Sequence, residues 1–163
     1  MMINKYTKSD YSEILHVVND ASKRYKNVIP DDCWKEPYMP KSELLDVFEE
    51  GVKMFGCVQN DKLISVMGFQ EIMDVVLIRH AYTLTEYQGK GAGSTLLKYL
   101  LDKNKGSRLL VGTWRDAKWA IKFYEKFGFV LHEKKESNSL LEKYWNIPSK
   151  QIEHSVVLEK IRL

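Results

Sequence analysis

Residues 88–94 read Gln88-Gly89-Lys90-Gly91-Ala92-Gly93-Ser94, with three glycines among five consecutive positions. A run of branched and aromatic residues precedes them, and leucines at helical spacing follow. Glycine lets a ligand approach the backbone closely. A helix that starts there adds unpaired N–H groups and the positive end of its dipole. The passage therefore predicts an anion site suited to a phosphate group, to which Lys90 adds charge.

Two common phosphate-binding motifs do not fit this glycine loop. The P-loop ends in Gly-Lys-Ser/Thr, whereas Lys90 is followed by Gly91. The dinucleotide fingerprint has a third glycine where this chain has Ser94. A tight turn that binds no ligand stays open as an alternative, because short motifs often match by chance.

On both sides of the loop, hydrophobic spacing predicts strands and helices of a mixed α/β domain, in the order β-α-α-β-β-β-α-β-α-β-(α)-β. The expected strands lie at 2–7, 54–58, 63–69, 72–84, 108–113, 129–134 and 156–163. The expected helices lie at 14–25, 42–50, 96–105 and 117–127, with a short helix inside 138–152. The strand–helix–strand passages within 72–134 predict a parallel pair at the centre of the sheet.

Length and composition limit the classes of protein to which the chain can belong. The chain has 163 residues, of which 44% are hydrophobic, so one domain with its own core is expected. Its net charge of +3 is too small to indicate nucleic-acid binding. No apolar run has the length of a membrane span, and the N-terminus lacks the apolar stretch of a signal peptide. Cys33 and Cys57 have no metal-ligand spacing. A cytoplasmic protein without metal is the simplest interpretation.

At the glycine loop the sequence resembles the GNAT superfamily of acyl-CoA-dependent N-acetyltransferases. Gln88, Gly91 and Gly93 match the family signature Gln/Arg-x-x-Gly-x-Gly/Ala. A second stretch, residues 120–129, reads Ala-Ile-Lys-Phe-Tyr-Glu-Lys-Phe-Gly-Phe and looks like the family segment Ala-x-x-x-Tyr-x-Lys-x-Gly-Phe. Two matches in the family's order are more specific than either match alone.

The resemblance implies the GNAT fold, an α/β mixed twisted sheet of about seven strands with a central splayed parallel pair, flanked by helices. It implies one acetyltransferase domain over 1–163, in which 135–155 form a helical insertion before the last strand. The co-substrate would be acetyl-CoA, with its pyrophosphate on residues Gln88, Gly89, Lys90, Gly91, Ala92, Gly93 and Ser94. The pantetheine arm would pair with the backbone of Ala81, Tyr82 and Thr83.

The resemblance also implies a reaction in which a neutral amine attacks the thioester carbonyl within a ternary complex. Tyr124 stands where family members have the Tyr that protonates the departing thiolate, although its helical spacing alone would fit a core aromatic. Some members carry a catalytic Glu where this chain has Leu77. His80 is the nearest titratable group of suitable pKa to replace it as base, and a purely structural strand histidine or a water relay are the alternatives. Many members have Asn where this chain has Ala117.

The expected activity is transfer of an acetyl group from acetyl-CoA to a primary amine of a small molecule or peptide. A GNAT-fold acyl-CoA-binding or regulatory module without turnover is one alternative, and an acyltransferase that uses a longer acyl-CoA is another. The acidic loop with Asp31, Asp32 and Glu36 is a candidate contact for a cationic amine, or a solvated loop. Residues 140–152 would cap the acceptor site or form a homodimer contact.

Overall fold

A computed structural model describes residues 1–161 of the chain. Seven strands and six α-helices make up the fold. The strands are β1 (Met2–Tyr6), β2 (Lys53–Gln59), β3 (Lys62–Ile72), β4 (Val75–Thr83), β5 (Leu109–Trp114), β6 (Phe129–Leu131) and β7 (Ser155–Lys160). The helices are α1 (Tyr11–Ala21), α2 (Lys41–Glu49), α3 (Ala92–Lys103), α4 (Lys118–Glu125), α5 (Lys134–Tyr144) and α6 (Ser149–Glu153).

All seven strands form one mixed sheet in the order β1-β2-β3-β4-β5-β7-β6. Every neighbouring pair is antiparallel except β4 and β5, which run parallel at the centre. The chain passes from β4 to β5 through α3, as the connection between two neighbouring parallel strands normally contains a helix. The predicted mixed α/β class and central parallel pair are confirmed.

The parallel pair is open at one end. Its ladder stops at Ile78 and Val111, although β4 continues to Thr83 and β5 to Trp114. A β-bulge lies just beyond, because His80 and Ala81 together stand opposite the single residue Met67 of β3. The two strands therefore separate toward their carboxyl ends and leave a gap between them.

The helices α3 and α4 cover one face of the sheet. Phe55 of β2 packs against Tyr99 of α3, with ring centroids 5.3 Å apart. Next to it, a Cβ at Gly93 of α3 would lie 3.5 Å from the ring of Phe123 in α4. The two helices thus approach closely at the N-terminus of α3, where the glycine loop ends.

The helices α1, α2 and α5 cover the other face. Leu77 of β4 is fully buried in an apolar cluster with Leu110 of β5 and Leu141 of α5. Gln70, the register partner of Leu77 on β3, donates a hydrogen bond to the carbonyl of Glu50 beside α2. The region between β6 and β7 thus belongs to the core, because α5 buries its apolar side on the sheet.

Some predicted boundaries are wrong. The run 72–84 is not one strand, since β3 extends to Ile72 and a turn at Met73, with φ of 48°, precedes β4. The strand expected at 129–134 ends at Leu131. One short helix was expected inside 138–152, but α5 starts at Lys134 and α6 follows it. Of the strand expected at 156–163, the structure has Ser155–Lys160, and Arg162 and Leu163 lie outside the described residues.

Candidate active site

The glycine loop has the backbone geometry of an anion site. Gly89 and Gly91 have φ of 76° and 92°, a region that side chains other than glycine rarely adopt. Gly91 is the N-cap of α3, and the N–H of Thr95 makes a helical hydrogen bond to its carbonyl over 2.9 Å. The N–H groups of Gly93 and Ser94 precede that bond, so the helix does not use them.

Gln88 ties the loop to the end of β4. Its side-chain amide donates a hydrogen bond to the carbonyl of Thr83 over 3.1 Å. The guanidinium of Arg24, which follows α1, donates to the Oε1 of Gln88 over 3.2 Å. The Gln of the family signature is thus a structural link between strand, loop and a basic side chain.

A cavity of about 650 Å³ opens in front of the loop. Its wall contains every predicted cofactor-binding residue except Lys90. These residues are Ala81, Tyr82, Thr83, Gln88, Gly89, Gly91, Ala92, Gly93 and Ser94. Lys90 is exposed, with its Nζ 5.6 Å from the ring centroid of Tyr87. Three other cations line the cavity instead, Arg24, Lys122 and Lys126, so it suits a ligand with several negative charges.

A second cavity of about 150 Å³ lies at the open end of the parallel pair. Its wall includes His80 and Tyr82 from β4, Gly112 and Thr113 from β5, and Trp145 just after α5. The indole of Trp145 lies over Gly112, where a Cβ would be only 3.2 Å away. The segment after α5 therefore contributes to the wall of this cavity.

The two cavities share part of their walls. The residues common to both are Tyr25, Ala81, Tyr82, Ala120 and Tyr124. They come from the 3-10 turn that follows α1, from β4 at and just after its bulge, and from α4. A molecule that extends from the larger cavity to this shared wall meets a molecule in the smaller one. The arrangement can therefore hold two substrates with their reacting ends together.

Tyr124 is 5% exposed and belongs to this shared wall. Burial raises the pKa of its phenol above the usual value of 10.0, so the hydroxyl keeps its proton at neutral pH. Within residues 1–161 that hydroxyl makes no hydrogen bond. It is available to donate to a ligand.

His80 lies in the wall of the smaller cavity, with φ of 58° at the bulge. Its ring is half-buried, but Nε2 is fully buried and has no hydrogen-bond partner among the described residues. Burial, with the neighbouring Arg79, lowers the pKa of His80 to about 3. An imidazole with so low a pKa holds a proton poorly, which argues against its role as general base.

The other positions singled out in the sequence line neither cavity. Leu77 faces α5, and Ala117 is fully buried in a small cluster with Ile29 and Trp114. Asp31, Asp32 and Glu36 are absent from both walls, and Asp32 pairs with Lys150 over 3.5 Å.

Throughout residues 1–161 there is no group of three His, Cys, Asp or Glu that could hold a metal ion. In the same range no helix is both long and apolar enough to cross a membrane.

Several residues of the site are invisible to motif matching. Tyr25 and Tyr38 reach the smaller cavity from the N-terminal third of the chain, where the sequence shows only helical spacing and a proline-rich loop. Their rings lie 5.5 Å apart, and Trp114 donates from Nε1 to the hydroxyl of Tyr38 over 3.1 Å. Lys122 and Lys126 could have been identified from the sequence as site residues, because they flank Tyr124 within the second motif.

Comparisons with known proteins identify the family and the fold. The sequence profile of the Acetyltransferase (GNAT) family matches residues 15–129. The fold matches the PaiA N-acetyltransferase of Thermoplasma acidophilum, solved with coenzyme A, at 20% identity and a TM-score of 0.73, covering 99% of this chain and 98% of that one.

It also matches the ribosomal-protein-S18-alanine N-acetyltransferase of Escherichia coli at 18% identity and a TM-score of 0.67, covering 98% and 92% of the two chains. A GNAT acetyltransferase of Staphylococcus aureus Mu50 has 14% identity and a TM-score of 0.72, with 98% and 97% covered. A comparison with curated protein sequences gives no match. The structural matches, all below 25% identity, establish the fold.

Proposed function

The chain belongs to the GNAT family of acetyltransferases, and we propose that it transfers the acetyl group of acetyl-CoA directly to a primary amine. The observation that carries this proposal is the wall shared by the two cavities. The larger cavity has the size and the cations for a nucleotide-bearing cofactor, and the smaller one has room for a compact acceptor. Their shared wall is where an acetyl group and an amine would meet.

Acetyl-CoA would bind with its pyrophosphate at the N-terminus of α3. The N–H groups of Gly93 and Ser94 are free of the helix, and a phosphate there gains from the helix dipole. Arg24, Lys122 and Lys126 line the same cavity and would add charge-assisted hydrogen bonds. The unpaired edge of β4 beyond Ile78 leaves its backbone free to pair with the pantetheine amides.

The reaction needs a donor for the oxyanion and an acid for the thiolate from the chain, and a route by which the amine proton leaves. The amine nitrogen attacks the thioester carbon and forms a tetrahedral oxyanion, which a backbone N–H near Tyr82 would stabilise. The carbon–sulfur bond then breaks, and the Tyr124 hydroxyl would supply the proton to the departing thiolate. Because burial keeps the phenol protonated, it is in the correct form for that step. The amine proton would leave through water, since the pKa of His80 is too low for an effective base.

A module that binds acyl-CoA without turnover is the second candidate. The observation in its favour is that no carboxylate base lines either cavity within residues 1–161. A longer acyl donor is a third candidate for the same site. A cytoplasmic location, a homodimer and a single domain spanning the chain stay predictions from the sequence.

An acceptor panel tests the proposal. The protein is incubated with acetyl-CoA and one of a series of small amines and peptides, and free thiol is measured together with the mass of the product. Amine-dependent thiol release with an acetylated product is expected. Binding of acetyl-CoA without thiol release for any amine would instead identify a binding module. Release with octanoyl-CoA in preference to acetyl-CoA would identify a longer-chain acyltransferase.

A further inference from the structure

The smaller cavity is lined by aromatic rings. Those in its wall are Tyr25, Tyr38, Tyr82, Trp114, Tyr124 and Trp145. The ring of Tyr25 lies 5.5 Å from that of Tyr38 and 6.5 Å from that of Tyr82, edge to face in the second case. A cavity of about 150 Å³ is the size that holds one benzene ring. The space therefore has room for a single flat ring packed against aromatic side chains, with Thr113, Gln151 and Ser155 adding polar groups to the wall.

The same cavity offers no counter-ion to an ammonium group. Of the described residues, no Asp or Glu lies in its wall. The charged side chain in the wall is Arg79, which donates to Glu50 over 2.7 Å and to Gln70 over 2.9 Å. Burial lowers the pKa of His80 to about 3, and burial raises the pKa of each of the four tyrosines in the wall, so these groups are neutral at pH 7.

Two acidic side chains that lie outside the wall form ion pairs of their own. Glu43 pairs with Lys35 over 3.5 Å, and Asp32 pairs with Lys150 over 3.5 Å. An alkylamine is an ammonium ion at neutral pH, and burying it in the cavity would remove its hydration without providing a carboxylate partner. A neutral amine avoids this cost.

On the basis of the proposed function, we further propose that the acceptor is an aromatic amine with a single ring, whose amino group is uncharged at neutral pH. Such an amine fills the ring-sized cavity and needs no counter-ion. It also needs no base before it attacks, because its lone pair is already free. This agrees with the absence of Asp and Glu from the described wall of the cavity and with the neutral state of His80.

Acetyl transfer to an uncharged aromatic amine is balanced in bonds and in protons. The amine nitrogen forms a bond to the acetyl carbon, the carbon–sulfur bond breaks, and the thiolate takes one proton from the Tyr124 hydroxyl. The nitrogen releases one proton, which returns through water to the phenolate. The products are a neutral amide and coenzyme A with its thiol, with no proton left over. An alkylammonium would have to release one more proton before attack.

The test compares aniline with cyclohexylamine, two acceptors with one six-membered ring and very different basicity. With saturating acetyl-CoA at pH 7, we expect kcat/KM for aniline to be higher by about tenfold or more, because the cavity leaves an ammonium unpaired. Between pH 6 and 9 the aniline rate should change little. The cyclohexylamine rate should rise about tenfold per pH unit with its free base. A higher kcat/KM for cyclohexylamine at pH 7 would overturn the proposal.

A designed counter-ion gives a second test. Gln151 lines the smaller cavity, so Gln151→Glu places a carboxylate there in nearly the same shape. We expect it to lower KM for cyclohexylamine and shift the preference away from aniline by about threefold or more. Gln59→Glu, on β2 outside both cavities, makes the same chemical change and should leave the preference as it is. An unchanged preference in Gln151→Glu would contradict the proposal.

The two proposals fail in different ways. If alkylamines from the panel release thiol and aniline does not, the chain is an N-acetyltransferase and only the aromatic-amine acceptor is wrong. If acetyl-CoA binds but neither aniline nor any panel amine releases thiol, the proposed function itself is wrong.

Discussion

Tyr124 has a buried ring and a hydroxyl without a partner, and both follow from its position on α4. Its ring packs edge to face on Phe129, with centroids 5.5 Å apart, as a core aromatic would. Tyr124 nevertheless lines both cavities, in the wall that they share. If Tyr124 only filled the core, its hydroxyl would be expected to have a hydrogen-bond partner, as buried polar atoms generally do.

Replacing Tyr124 tests its role as the acid. Tyr124→Phe keeps the ring and removes the hydroxyl, so turnover should fall about 10²–10⁴-fold while the dissociation constant of acetyl-CoA stays the same. Steady-state kinetics and calorimetric titration measure the two quantities. Tyr144→Phe is the matched control, because the Tyr144 hydroxyl donates to Asp74 outside both cavities. Wild-type turnover in Tyr124→Phe, when chemistry limits the rate, would remove it from the mechanism.

We expect His80 to affect the pH dependence of the unfolding free energy rather than the pH dependence of the reaction rate. Its folded pKa of about 3 lies below the unfolded value of 6.5, so the unfolded state binds more protons between these values and stability falls as pH falls. Between pH 7 and pH 5 the wild type should lose on the order of 1–2 kcal/mol more unfolding free energy than His80→Asn. Asn is chosen because it tolerates positive φ.

Urea unfolding at the two pH values measures this difference, and the other titrating groups cancel between the two proteins. The rate profiles of wild type and His80→Asn should have the same shape between pH 6 and 8. A bend near pH 6.5 that only the wild type shows would restore His80 as the base.

At the scale of elements, the strand–loop–helix unit was predictable and the cavities were not. The glycines and the leucines of α3 form local patterns, so residues 88–103 could be assigned from the sequence. The bulge at His80, the short β6 and the placement of α5 depend on pairing with β3, β7 and the sheet face, which no local pattern encodes. The aromatic wall is long-range too, since Tyr38 and Trp114 are far apart in sequence.

The glycine loop can be tested with a matched pair of substitutions. Gly91→Glu places a negative side chain at the N-terminus of α3, and acetyl-CoA should no longer raise the melting temperature. Gly51→Glu is the control, because Gly51 also has φ of 92°, also has open space at its Cβ, and lies outside both cavities. Both changes carry a similar strain of about 1–2 kcal/mol. Equal thermal shifts in the two folded variants would place the cofactor elsewhere.

At the scale of the whole molecule, the separation of β4 from β5 is what brings the cavities together. A closed parallel pair would leave the larger cavity, on the α3 and α4 side, without access to the wall made by Trp145 and β5. Because the ladder stops at Ile78, the two cavities meet at Tyr82 and Tyr124. On the proposed function, the fold would hold both substrates at once, and no covalent acetyl-enzyme would be required.

Initial-velocity kinetics test this claim most directly. Acetyl-CoA and the most active amine of the panel are varied against each other, and reciprocal rates are plotted. A ternary complex predicts lines that intersect, with no acetylated protein detected by mass spectrometry when acetyl-CoA is added alone. Parallel lines, together with one acetyl group on the protein in the absence of amine, would contradict direct transfer between the two cavities.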